Sequence, residues 1–260
     1  MKETAYIKAT NLGDAWFQAI DEVMMRGRRY LVDSGSFQGI FRSGSRILID
    51  IMHPGVRPLA PIMPEGSKIP APTTDEAIQE YCLYLMTGER KPGEHYTYGE
   101  DLSWQIPWVI NHFRNDGFGT NHCYMTVGRP ETLLFYDRGV AYQEGIVVKE
   151  HQTNKIIQRR RISNDWNKNP AAKPSSQCLR GVDAWIEEEK LHFFIYFRSW
   201  DLWGGFPENL GGLQLVKEYM AGEIGVGDGI MTVSCKDLHI YEHGWPVALM
   251  RLRKDGWSPD

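Results

Sequence analysis

The sequence predicts an α+β fold, a mixed β-sheet packed with helices in a single domain over residues 1–260. Strand-like and helix-like segments are intermixed without the regular strand–helix–strand alternation of a doubly wound sheet. The 260-residue chain is long for one domain, but it has no internal repeat and no composition break sharp enough to mark a linker. Its 42% hydrophobic residues are enough for a substantial core, and 24% charged residues give an ordinary water-facing surface.

Ala15, Trp16, Ala19, Ile20, Val23 and Met24 recur at helical spacing, which predicts a helix over residues 14–26 ended by Gly27. Residues 36–52 alternate and then turn continuously apolar (Ile40, Ile47, Leu48, Ile49, Ile51). This predicts two strands turning at Ser43, Gly44 and Ser45. Residues 54–72 are proline-rich and aperiodic, hence a loop. Thr73 or Thr74 as cap with Glu76 in the first turn predicts a helix running through Glu80 and Leu85 to Gly88. A helix over 107–114 and a strand over 122–127 follow. Residues 136–176 are the least regular: a strand-like start over 140–148 gives way to a polar stretch over 151–173 containing Arg159, Arg160 and Arg161. Residues 136–173 are read as an insertion. Two strands, 179–186 and 190–197, are joined by an acidic turn at Glu187, Glu188 and Glu189. A helix over 209–221 carries Leu210, Leu213, Val216, Lys217 and Met220 on one side. Short strands are expected at 230–233, 238–241 and 248–252.

Composition excludes several classes. No apolar run approaches the roughly 20 residues that span a bilayer, and the opening residues lack the apolar core of a secretion signal. Cys82, Cys123, Cys178 and Cys235 are scattered without a CxxC or a Cys/His cluster. Neither a disulfide framework nor a metal site is expected, and the cytoplasm is the natural location. A net charge of −4 argues against bulk nucleic-acid binding.

The chemistry-bearing residues gather in the last third. Cys178 stands just before a predicted strand. Buried free cysteines are common, but a thiolate there would be a strong nucleophile, and Arg198 could favour it by lowering the thiol's pKa. Arg198 and Ser199 end the strongly apolar strand 190–197. Such a guanidinium suits either a surface ion pair or a phosphate, which its fork matches. Asp201 and Asn209 bracket Gly204 and Gly205, which could shape a turn or admit a ligand close to the backbone. Asn209 could also cap a helix. His239 and Tyr241 alternate with Leu238 and Ile240, so one strand face presents both polar rings.

The stretch 197–210 (FRSWDLWGGFPENL), preceded by Cys178 and followed by His239 and Tyr241, resembles the thymidylate synthase and pyrimidine nucleotide hydroxymethylase family. The tone is nearest its shorter archaeal-type members. The resemblance is strong over 178–241 and reaches more faintly across most of the chain. It implies the family's three-layer fold, a homodimer packed through its sheet, and one-carbon transfer to C5 of a pyrimidine nucleotide. Cys178 would then attack C6, Arg198 and Ser199 would bind the phosphate, and Asp201 would contact the pterin. Asn209 would read the base; an amide can donate to O4 and accept from N3–H of uracil, whereas an aspartate better suits cytosine. His239 and Tyr241 would hold the sugar. Glu80 resembles the family's water-ordering glutamate, although the helix is one residue longer before its glycine; otherwise it is an exposed carboxylate. Tyr98, before Gly99, resembles a tyrosine of the C5 proton step.

Some features depart from the family. Ser34 replaces a phosphate arginine, Asn121 and His122 stand where the partner would supply an arginine pair, and Leu179 replaces a histidine. Arg159, Arg160 and Arg161 are candidates to replace that charge. Residues 255–260 echo the family's near-terminal motif without the tail that excludes water, a role the insertion at 136–173 could take. The resemblance thus implies reductive methylation of dUMP to dTMP. The donor of carbon and hydride would be 5,10-methylenetetrahydrofolate or a methanopterin-type analogue. The alternatives are a 5-hydroxymethylase acting on dUMP, dCMP or CMP, since water in place of hydride gives hydroxymethyl, and an inactive nucleotide-binding protein. No metal, nucleic acid or membrane is implied.

Overall fold

The computed structural model describes residues 3–32, 37, 39–90, 94, 96–128, 141–142, 161–163 and 177–254, with backbone only at 141–142 and 161–163. Ser34, Arg159, Arg160, residues 255–260 and most of the expected insertion lie outside these residues. The elements Ala5–Ala9 (β1), Arg28–Leu31 (β2), Phe41–Ile51 (β3), Tyr124–Thr126 (β4), Leu179–Glu187 (β7), Lys190–Phe197 (β8), Trp200–Asp201 (β9) and Gly227–Tyr241 (β10) form one mixed sheet. Its order is β1-β3-β10-β8-β7-β4, with β2 beside β3 and β9 beside β10. Ala141–Tyr142 (β5) and Arg161–Ser163 (β6) make a separate antiparallel pair. The helices are Leu12–Asp21 (α1), continued by a π-helical turn Glu22–Arg26, then Asp75–Thr87 (α2), Gly99–Asp116 (α3), Gly205–Ile224 (α4) and Trp245–Arg251 (α5). The α+β class is borne out.

Helix α4 lies on β8, β9 and β10, α1 lies on β1 and β3, and α2 packs on the outer side against α4 and α3. Alternation along the strands explains the layering. Ile47, Ile49, Ile51, Phe193, Ile195, Phe197, Met231 and Val233 are fully buried under the helices. Thr74 caps α2 by accepting from Ala77 N, and Gly88 closes it in the left-handed conformation at φ 70°.

Several expectations are corrected. Ser43, Gly44 and Ser45 form no turn; they lie inside β3, paired with Ile240, His239 and Leu238. Their small size serves close approach instead. Ser43 is buried and donates to Val23 O at 2.6 Å, while a Cβ on Gly44 would meet Asp237 Oδ1 at 2.5 Å. The segments 230–233 and 238–241 are parts of one strand, β10, whose register slips between Cys235 and Leu238. Residues 248–252 form no strand but belong mostly to α5, which begins beside Pro246. Helix α3 starts eight residues before its expected start at Pro107, and α4 starts at Gly205 rather than Asn209. Strands β1 and β2 were unforeseen: one is five residues long and the other is half arginine.

Lys217, foreseen on the apolar side of its helix, is fully buried. Its Nζ donates to Gly229 O at 2.5 Å and Ile230 O at 3.3 Å, and pairs with Asp228 at 3.2 Å. Burial pushes its pKa down to about 8, against the pull of Asp228. Lys217→Met keeps the stem and removes the ammonium, leaving both carbonyls and Asp228 without that partner. Urea unfolding is expected to show a loss of about 2–4 kcal/mol; an unchanged midpoint would contradict this reading.

Candidate active site

The hairpin β7–β8 builds the first part of the site. Leu179 pairs with Phe197 at its open end, which sets Cys178 beside Arg198. The Arg198 backbone N–H donates to Cys178 O at 2.9 Å, and its Nε donates to Gln177 O at 3.2 Å. The guanidinium is therefore tethered next to the thiol. Ser199 follows in the bend leading to β9.

Burial pushes the Cys178 thiol up. The charges of Arg198 and Arg42 and hydrogen bonding from the Tyr98 and Tyr96 hydroxyls pull the other way, and burial wins. Arg198 thus acts in the expected direction, while burial keeps the thiol above its ordinary range. Tyr98 stands at the start of α3 and accepts from Leu179 N–H, and burial raises its pKa well above the ordinary phenol value.

β10, paired with β8 in the same sheet, supplies the adjoining part. His239 is buried, with Nδ1 3.0 Å from Asp237 O, and its ring meets that of Tyr241 edge-on at 4.9 Å. Tyr241 pairs with Arg42 across β3 and stacks on Phe37 at 4.2 Å. Arg42 Nη2 lies 2.9 Å from Asp237 Oδ2, and its Nε donates to Tyr30 Oη at 2.6 Å. Arg42 was not foreseen as a site residue. It became legible only through the β3–β10 pairing, and its charge reaches both Cys178 and Tyr241. Arg28, Arg42, Arg46, Arg198 and Lys236 line a cavity of about 610 Å³, with Ser199 also at its wall. Glu3 and Asp237 are the acidic members of this lining. The balance of charge suits a phosphate.

Asp201 in β9 pairs with His239. Its Oδ2 accepts from Gly204 N and Gly205 N, both at 3.0 Å, in the turn that leads into α4. Its Oδ1 takes part in neither of these bonds. Asn209 lies within α4, so it does not cap the helix. Its Oδ1 accepts from Trp200 Nε1 at 2.9 Å.

Glu80 is not brought to this group. It is exposed on α2, and the α2 side chain whose charge is felt with that of Cys178 is its neighbour, Tyr81. One residue turns a helix by about 100°, so the extra residue noted before Gly88 moves the carboxylate off the site. Tyr81 and Tyr96 were both missed. Tyr96 is only two residues from Tyr98, but no periodic signal marks its loop.

The thymidylate synthase family model matches residues 137–256. A protein of Methanosarcina mazei named "Putative thymidylate synthase" is 27% identical over 249 residues, covering 93% of this chain and 91% of that protein. Its namesake in Methanosarcina acetivorans is 26% identical over 247 residues, with the same 93% and 91% shares. The thymidylate synthase of Mycoplasma genitalium is 31% identical over 117 residues, 42% of this chain and 41% of that protein. With a thiol beside a tethered arginine and a cationic cavity, the chain is similar over residues 137–256 to the thymidylate synthase family, and along nearly its whole length to archaeal proteins that carry that name.

Proposed function

We propose that the protein methylates dUMP at C5 to give dTMP. The observation that carries this reading is the pairing of Cys178 with Arg198 at the end of one hairpin, beside a cavity lined by five cationic side chains. Arg198 and Ser199 hold the phosphate, with Arg42 adding positive field. His239 and Tyr241 face the sugar, and the Asn209 amide donates to O4 and accepts from N3–H. The Cys178 thiol loses its proton to solvent, its thiolate Sγ forms a bond to C6, the C5–C6 π pair moves toward O4, and C5 becomes able to attack a one-carbon electrophile.

A methylenetetrahydropterin, folate or methanopterin type, supplies that carbon and a hydride when bound. The Asp201 oxygen that takes no part in the turn leading into α4 suits a pterin N–H. The Tyr98 hydroxyl, buried and close to Cys178, is the group proposed to handle the C5 proton; Glu80, turned to solvent, takes no part. Tyr98→Phe is therefore expected to lower kcat by about tenfold to a hundredfold with nucleotide affinity little changed. Glu80→Gln is expected to stay within about twofold of wild type, since it changes an exposed surface group. The reverse order of effects would restore Glu80.

Along the sheet, Tyr6, Tyr124, Phe194 and Tyr196 are exposed on the face opposite the helices, where strand pairing aligns them in two rows with Leu48, Asp50, Thr232 and Ser234. This face is proposed to pair two copies into a homodimer. Light scattering should show a dimer that Phe194→Glu with Tyr196→Glu converts to a monomer; a wild-type monomer would contradict it. The four free thiols go with a cytoplasmic location.

The direct test is incubation with dUMP and methylenetetrahydrofolate, then with a methanopterin donor, identifying the product by mass. A methyl product supports the reading. A hydroxymethyl product replaces the reductive step with hydration, and nucleotide binding without any product under either donor would favour an inactive binding protein.

A further inference from the structure

We propose that Trp200 is a positioning residue that locks the Asn209 carboxamide in the orientation that reads uracil and rejects cytosine. The inference rests on the reading of Asn209 as the base reader.

An amide has a donor half and an acceptor half of almost the same size. Turned one way it complements the O4 and N3–H edge of uracil; turned by half a circle it complements the N4–H and N3 edge of cytosine. A freely turning amide would therefore discriminate poorly between the two bases.

Asn209 is not free to turn. The Trp200 indole N–H, a donor with no acceptor capacity, lies 2.9 Å from Oδ1. Reversing the amide would set its NH₂ group against that N–H, donor against donor, and leave the indole without an acceptor. The indole itself is fixed. It is 2% exposed, stacks parallel on Phe197 at 3.9 Å with 1° between planes, and meets Phe206 at 4.6 Å. β9 also pairs Trp200 with Leu238, next to His239. One lone pair of Oδ1 is used by the indole, leaving the other for N3–H and the NH₂ group for O4. The lock thus runs from the β8 strand end through two aromatic stacks to one amide on α4.

The test compares dissociation constants for dUMP and dCMP by calorimetry in wild type, Trp200→Phe, and a protein with 3-benzothienylalanine incorporated at position 200. The thienyl analogue keeps the bicyclic shape and puts sulfur in place of N–H, so it covers the case in which the smaller phenylalanine disturbs the core. In folded protein, both changes are expected to bring the dUMP to dCMP preference down by about tenfold or more. A preference unchanged in the folded analogue protein overturns the lock.

The hydrogen bond is also read without any nucleotide. The Trp200 indole N–H resonance should exchange slowly with solvent in wild type and shift in Asn209→Ala. An indole that exchanges freely and ignores that substitution overturns the lock whatever binds. If wild type shows the protected indole but binds neither nucleotide, the proposed function is wrong and the specificity role falls with it.

Discussion

Cys178→Ala is expected to abolish turnover, by about four orders of magnitude or more, while dUMP affinity stays within about threefold of wild type. The two effects separate because different groups carry them. In the proposed mechanism the nucleophile is one sulfur atom, whereas the affinity would come from Arg198, Ser199 and the other cationic side chains that line the cavity with them. Alanine leaves the Cys178 carbonyl in place, and that carbonyl is what accepts the Arg198 backbone N–H. The phosphate site should therefore survive the substitution. A variant that retains turnover would remove the covalent mechanism, and one that loses binding as well would show that the thiol also shapes the site.

The state of the thiol gives this prediction a pH dependence. Burial holds the Cys178 pKa above the ordinary thiol value, against Arg198, the two tyrosine hydroxyls and Arg42. The unliganded enzyme should thus be alkylated slowly at neutral pH, with a rate that rises as pH climbs past the ordinary thiol range of about 8.5. A high-pKa thiolate, once formed, is intrinsically the better nucleophile. The design places cationic and phenolic groups around a sulfur that is protected until it ionises.

Asn209→Asp is expected to change the ratio of catalytic efficiencies for dUMP and dCMP by about a hundredfold or more in favour of dCMP. A carboxylate cannot donate to uracil O4 and sets acceptor against acceptor there, whereas it can accept from the cytosine amino group. The Trp200 indole can donate to either carboxylate oxygen, so the new side chain keeps its anchor while its complementarity changes. No change in the ratio would remove Asn209 from base recognition and, with it, the argument for a uracil nucleotide.

Much of the site was legible because hairpin arithmetic is local. Cys178 and Arg198 flank two strands joined by a short acidic turn, so antiparallel pairing had to return one to the other. His239 and Tyr241 share a face by simple alternation, and Arg198 to Asn209 lie within a dozen residues. Arg42 was hidden for the opposite reason: it reaches the site only through a pairing between β3 and β10, almost two hundred residues apart. Packing against other elements explains the mistaken turn. Ser43 and Gly44 read as turn residues, but they are small because Val23 O and Asp237 press against them. Glu80 shows the same limit on a helix: α2 and its caps were foreseen, while the side chain there whose charge is felt with that of Cys178 is the phenol of Tyr81, one position on.

Release of tritium from dUMP labelled at C5 tests the central claim most directly, because it reports the C5–H bond breaking that follows Cys178 adding to C6. With a methylenetetrahydropterin present, wild type is expected to release tritium in step with dTMP formation, and Cys178→Ala to release none. Tritium release by the alanine variant, or dTMP formed without it, would contradict the account.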